Sequence, residues 1–276
     1  MKYAFSSITY GSGGSWVPAY SLDETIRRVA GIGYDALDIV TASPHAWPDY
    51  LDAQKRAHYR SELAAHALGV SGIFPFMAGC AGYNVATEND KERMWTANYL
   101  KKCVDLAKDW DAGSIAYLPG WTLYGCDKRK AWALSVEVLR DVAAYANGQG
   151  IRVLIQQPLS QSNVVDCPMD ARYMMEEVGL PNVGLMFDVL SAVNRKADPA
   201  DYVYETGAAL QKIHVCDYGR QIPGTQGLDF RQLFIALKDI GYDGPVVVEV
   251  DSSRSVHADS FARRSLEYLK NIEAGV

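Results

Sequence analysis

Apolar residues along this chain fall into two alternating kinds of run. Short runs rich in β-branched residues and bounded by turn residues read as buried strands. They are Lys2–Ser7, Ala36–Val40, Val70–Met77, Ser114–Leu118, Ile151–Gln157, Val183–Asp188, Lys212–Cys216 and Val246–Val250. Longer stretches with apolar positions at helical spacing lie between them. These are Leu22–Ala30, Asp52–Leu68, Asp90–Trp110, Lys128–Asn147, Met169–Val178, a segment around Pro199–Leu210, Phe230–Ile240 and Ala258–Ile272. In Asp90–Trp110 the apolar stripe is Met94, Ala97, Leu100, Val104, Leu106 and Ala107. Ser21-Leu22-Asp23-Glu24 has the form of a capping box, with Ser21 as N-cap. Gly31 and Gly33 close the helix it opens, and Gly148 and Gly150 close Lys128–Asn147.

Strand–helix alternation from end to end implies a parallel sheet. Eight such pairs in 276 residues match a (β/α)8 TIM barrel, and residues 1–276 are expected to form one domain. A doubly wound open sheet is the rival. It calls for a glycine-rich GxGxxG after the first strand, and Gly11-Ser12-Gly13-Gly14 has the wrong spacing. That segment reads better as a loop at the barrel mouth.

Composition narrows the class of partner. With 49% hydrophobic and 22% charged residues, the chain has the balance of a soluble globular protein. A net charge of −6 argues against nucleic acid or an anionic membrane as partner. No apolar run reaches the roughly 18 residues of a membrane span. Met1-Lys2-Tyr3-Ala4-Phe5 looks like a first strand rather than a signal peptide. Cys80, Cys103, Cys126, Cys167 and Cys216 include no CxxC pair, so reduced thiols and a cytoplasmic location are expected.

The chemistry concentrates in the last third. Asp188 closes Val183–Asp188, His214 lies within Lys212–Cys216, and Glu249 falls in Val246–Val250. A carboxylate or imidazole in a buried strand is costly unless something pairs with it. In a barrel the C-terminal strand ends carry the active site. Three ligands at the same end of neighbouring strands can share one divalent cation, which turns three separate costs into one site.

Several segments, taken in order, resemble the xylose isomerase-like barrels, in particular sugar epimerases of the tagatose/psicose and fructoselysine 3-epimerase type. Gly33–Ile39 looks like the family's second strand, and Ser43-Pro44-His45-Ala46 like a segment of the fructoselysine enzymes. Ser162–Val165 looks like the loop after the fifth strand, and Asn182–Asp188 like the sixth-strand metal motif. His214-Val215-Cys216-Asp217 with Arg220, Pro223 and Gly224 resembles the seventh strand and its loop; Gly241-Tyr242-Asp243-Gly244 with Glu249 resembles the eighth. The resemblance implies a sugar isomerase or epimerase with four metal ligands, of which Asp188, His214 and Glu249 match residue by residue. The fourth, a glutamate in the family, falls on Gln156, or on Gln157 if the downstream Pro-Leu is aligned.

A glutamine amide oxygen still ligates hard cations, so Gln156 stays in the expected ligand set, with Mn2+ preferred and Mg2+ or Co2+ as alternatives. An amide is no general base near neutral pH. The family's epimerases place a glutamate on each substrate face, and here only Glu249 remains as matched catalytic base. One reading is therefore an isomerase or epimerase of a keto sugar or modified sugar, with the second base supplied elsewhere, by His45 or Asp251. Another is one-base chemistry: a lyase acting by β-elimination on a 3-keto sugar, as a dehydratase or C-glycoside-cleaving subunit. A third is an impaired or engineered Glu-to-Gln form that binds sugar without turning it over.

Arg220 matches a family arginine that holds a substrate oxygen, and Ser191 stands where these epimerases often carry a histidine. Trp16 and Trp121 are the expected substrate-stacking aromatics, with Trp47, Phe76 and Tyr124 also near the mouth. His58 and His66 read as helix-surface residues, and His257 follows the eighth strand. The expected partner is a small sugar or glycoside. A homo-oligomer, and for a C-glycoside-cleaving enzyme a small partner subunit, follow from the resemblance alone.

Overall fold

The eight strands close into one parallel barrel in sequence order, β1-β2-β3-β4-β5-β6-β7-β8. They are β1 (Lys2–Ser6), β2 (Ala36–Val40), β3 (Gly69–Phe74), β4 (Ser114–Tyr117), β5 (Arg152–Gln156), β6 (Val183–Asp188), β7 (Leu210–Val215) and β8 (Pro245–Val248). The structure is a computed structural model and describes residues 1–11, 19–43, 45–77, 83–156, 162–251 and 257–276. Helices α1 (Leu22–Ile32), α2 (Ala53–Ala65), α3 (Asp90–Asp109), α4 (Lys128–Asn147) and α5 (Pro168–Val178) follow the first five strands. After β6 come α6 (Val189–Asn194) and α7 (Pro199–Thr206), then α8 (Phe230–Asp239) after β7 and α9 (Ala258–Ala274) after β8. This is the single-domain (β/α)8 barrel that the strand–helix alternation implies.

Side chains alternate across each strand, so the barrel wall feeds two cores. Phe5, Leu37, Ile39, Ile73, Ile115, Val153, Leu185 and Ile213 belong to one large buried cluster together with the helices. A small cluster of Ala116, Leu154 and Met186, with Phe74 against it, lies apart from the first. Much of the remaining wall is polar, which departs from the branched aliphatic layers usual inside such barrels. Asp38, Lys212 and His214 are all buried. Register shifts at Leu37/Asp38 and at Leu185/Met186 mark irregularities beside two of these positions.

Asp and Asn residues start the helices after the strands. Asp52, Asn89, Asp127, Asp188, Asp198 and Asp229 each cap a helix by accepting a backbone N–H of its first turn. Ser21 does the same for α1, accepting from Glu24 N at 3.2 Å. The other half of the expected capping box is differently used: the Glu24 carboxylate pairs with Arg27 and Arg28. α1 runs through Gly31 and ends where Gly33 adopts φ 101°, a left-handed turn that costs glycine little.

Candidate metal and sugar site

Asp188, His214 and Glu249 converge at the C-terminal end of the barrel. Asp188 pairs in register with His214 across β6 and β7. Glu249 follows the last residue of β8, where its N–H donates to Val215 O at 3.1 Å. One potential ligand atom from each residue lies within 4.8 Å of the others. All three are buried, so the barrel holds two carboxylates and an imidazole out of water around one point.

The individual contacts set the charge balance. His214 Nδ1 and Glu249 Oε2 are 2.6 Å apart. Arg220 bridges the two acids, with one guanidinium nitrogen 2.6 Å from Glu249 Oε1 and the other 3.0 Å from Asp188 Oδ2. Asp188 also accepts the Leu190 N–H at 2.9 Å through Oδ1, so it caps α6 while facing the site. Burial alone would push the His214 imidazole down, but the Glu249 and Asp38 carboxylates outweigh it and lift the pKa to about 9. Burial likewise favours a neutral Glu249, and Arg220 and His214 reverse that, holding its carboxyl at about 2. Opposite charges gathered in a low-dielectric pocket stabilise one another's ionised forms.

Arg220 reaches these acids because of an unusual turn. Gly219 and Arg220 both have positive φ, 64° and 56°. A non-glycine residue in that region is strained, and surrounding bonds must hold it there. Asp251 N donates to Arg220 O at 2.8 Å. Asp217, fully buried, accepts from Tyr218 N and Leu228 N through Oδ1 and from Gln226 N through Oδ2. The carboxylate of Asp217 thus gathers the loop after β7, and the loop aims Arg220 back over the strand ends.

Gln156 closes β5, next to β6 in the barrel. It is buried, and its Oε1 has no hydrogen-bond partner among the described residues. A buried acceptor left unpaired is costly. An amide oxygen, two carboxylates and an imidazole are all donors a divalent cation accepts, so the residue types present fit a metal. The alternative position, Gln157, lies outside the described residues.

The His45 ring is 3% exposed; its Nε2 donates to Tyr20 O at 2.9 Å, with Thr25 Oγ1 at 3.4 Å. Burial, partly offset by the Tyr20 carbonyl, pushes its pKa down to about 4. Its hydrogen-bond partners are thus loop and helix atoms. Trp121 is 45% exposed and lines a cleft of about 220 Å³ between the loops after β3 and β4, with Asn84 holding its backbone at 2.8 Å and 3.1 Å. Trp47 stacks on Tyr99 at 5.4 Å, and Tyr124 is fully exposed. Trp16 lies outside the described residues. Ser191 is buried in α6, and Asp251 is exposed. His58 sits on α2 against Asp23 at 2.5 Å.

Two charged residues in the barrel escape a reading by periodicity: Asp38 on β2 and Lys212 on β7, joined at 2.5 Å. The signal was present, since each is a charge inside a strand-like run.

A closed parallel barrel whose last strands gather two carboxylates, a histidine and an arginine defines a class of barrel able to bind a divalent cation beside a polar substrate. A sequence profile described as "Xylose isomerase-like TIM barrel" matches residues 26–272, and the chain belongs to that family. It is similar to a fructoselysine 3-epimerase of Shigella flexneri, 24% identical over 256 residues, covering 90% of this chain and 92% of the relative. It is also similar to a ketose 3-epimerase of Arthrobacter globiformis, 31% identical over 282 residues, with 90% and 92% covered. The crystal structure of a D-psicose 3-epimerase with D-tagatose from Clostridium cellulolyticum H10 superposes with a TM-score of 0.84 at 18% identity, covering 99% of each chain. No helix among the described residues is long and apolar enough to cross a membrane.

Proposed function

We propose that this chain is a divalent-metal-dependent isomerase or epimerase that moves a proton next to the carbonyl of a keto sugar or modified sugar. The observation that carries the reading is the convergence of Asp188, His214 and Glu249 within 4.8 Å, with Arg220 spanning both acids. The epimerase names of relatives that align over nine-tenths of the chain support the same chemistry. Asp188, His214, Glu249 and the Gln156 amide oxygen would hold the cation, with Mn2+ favoured for this mixed, mostly oxygen set. Such a cation supplies Lewis-acid polarisation of a carbonyl.

The chain's own residues do the rest. Arg220 offers a planar fork to a substrate oxygen. In turning toward it, the guanidinium loosens its hold on Glu249 and so raises the basicity of that carboxylate. Glu249 then takes the proton from the carbon beside the carbonyl. A second base at His45 would have to use Nδ1, since Nε2 donates to Tyr20. Trp121 and Trp16 are the aromatics assigned to the substrate. The protein is proposed to work as a cytoplasmic homo-oligomer.

The glutamine at position 156 favours a second reading. With no carboxylate there, β-elimination from a 3-keto sugar needs Glu249 alone as base, and a small partner subunit would suit that reaction. Incubation of the Mn2+-loaded protein in D2O with ketoses and 3-keto glycosides separates the two. Deuterium at the carbon next to the carbonyl in an otherwise intact sugar supports isomerisation or epimerisation. Release of water or an aglycone supports elimination. Binding without either outcome removes both readings.

A further inference from the structure

The barrel interior carries an ion pair that packing does not require. Asp38 on β2 and Lys212 on β7 are 0% and 1% exposed, and their charged atoms are 2.5 Å apart. Ser71 on β3 donates to the same Asp38 oxygen, Oδ1, at 2.9 Å. Lys212 crosses the barrel over Gly72, where an added Cβ would stand 2.1 Å from its Nζ. Desolvating such a pair costs so much that apolar residues of similar volume usually stabilise a fold as well or better. Its presence calls for a role at what it touches.

The untouched carboxylate oxygen names that role. Asp38 Oδ2 lies 3.3 Å from His214 Nε2. Both atoms are buried, and neither has a hydrogen-bond partner elsewhere among the described residues. Each is therefore the natural partner of the other, although their present alignment falls short of a good hydrogen bond. The opposite ring nitrogen, Nδ1, faces Glu249. Phe74 covers the imidazole with ring centroids 5.6 Å apart. Metal-binding histidines characteristically donate their second N–H to a carboxylate, which fixes the tautomer and the ring orientation.

We propose that Asp38, itself held by Lys212 and Ser71, is a positioning residue: it keeps the proton of neutral His214 on Nε2 and presents Nδ1 to the cation. This rests on the reading of Asp188, His214 and Glu249 as a cation site. Lys212 neutralises Asp38 through Oδ1 while Oδ2 faces His214, so the carboxylate orients the ring without joining the ligand set.

The test uses the whole chain and Mn2+ as probe, with free ion followed by electron paramagnetic resonance. Wild type is compared with the double variant Asp38→Val/Lys212→Met, which removes the carboxylate without leaving an orphan charge, and with His214→Gln. The double variant is expected to fold and to bind Mn2+ about 10- to 100-fold more weakly than wild type. In 15N-histidine-labelled wild type loaded with Mg2+, the His214 resonances, assigned by their loss in His214→Gln, are expected to place the proton on Nε2. Mn2+ affinity within twofold of wild type in the double variant overturns the proposal. So does a proton on Nδ1, a readout that stands even if the variant fails to fold. Wild type that binds no Mn2+, or binds it as well after His214→Gln, removes the underlying cation site instead.

Discussion

In the protein freed of divalent cations, the proposed site has a proton linkage at His214. Without a cation the imidazole faces Glu249 and Asp38, and its pKa of about 9 compares with 6.5 for a free histidine. The folded chain therefore keeps a proton that the unfolded chain releases between those two values. Stability from this group is fully present below pH 6.5 and is lost as pH rises through about 9. A shift of that size corresponds to about 3 kcal/mol, as an order of magnitude. Glu249 does not blur the window, because its own contribution is present above pH 4.5 and lost as pH falls toward 2. Urea unfolding of EDTA-treated protein from about pH 6 to pH 10 measures the loss, with His214→Gln as reference. Wild type should lose about 3 kcal/mol relative to the variant across that range. On the proposed reading a cation would take the place of the proton on Nδ1, so Mn2+ binding near pH 7.5 should release about one proton. Apparent affinity should then rise about tenfold per pH unit until about pH 9. Calorimetry in buffers of different ionisation enthalpy counts that proton. Stability that tracks His214→Gln at every pH, or binding without proton release, refutes the reasoning.

Further outcomes follow from the same geometry. Gln156→Glu puts a third carboxylate where an amide oxygen has no partner among the described residues, and Mn2+ affinity measured by titration should rise about tenfold or more. The same change should add or enhance epimerisation in the D2O assay, since it restores a second base. Arg220→Ala leaves two buried carboxylates without their shared cationic partner. Metal-free stability in urea should fall by about 3 kcal/mol, and saturating Mn2+ should recover most of it. Gly72→Ala drives a methyl into the Lys212 ammonium and pulls it from Asp38, at a cost of up to about 3 kcal/mol. Adding Asp38→Val and Lys212→Met together, which leaves no orphan charge, should relieve much of that loss, and comparing unfolding free energies with and without Gly72→Ala in the two backgrounds reads the coupling.

Much of this architecture is written in local pattern. Apolar runs bounded by turn residues placed the eight strands to within a few residues, and Ala36–Val40 and Val183–Asp188 end where the pattern ends them. Strand–helix alternation then implied parallel closure, because each crossover carries its own amphipathic helix. Asp188, His214 and Glu249 were legible for the same reason: a polar side chain at the end of a buried run stands out against its neighbours. Short-range pattern has limits where one residue serves two purposes. The helix Val189–Asn194 went unseen because Asp188, read as a metal ligand, is also its N-cap.

Only the closed barrel decided what lies across from what. Asp38 and Lys212 are 174 positions apart in the chain, and nothing local to either announces a partner. Gly72 looks like an interruption of a strand until Lys212 is seen passing over it. Arg220 owes its reach to two consecutive left-handed residues and to the buried Asp217 that ties the following loop. Periodicity along a chain reports which face of an element is buried, since that depends on neighbours three or four residues away. Which charges then meet inside depends on barrel closure and on register between strands, and those are properties of the assembled fold.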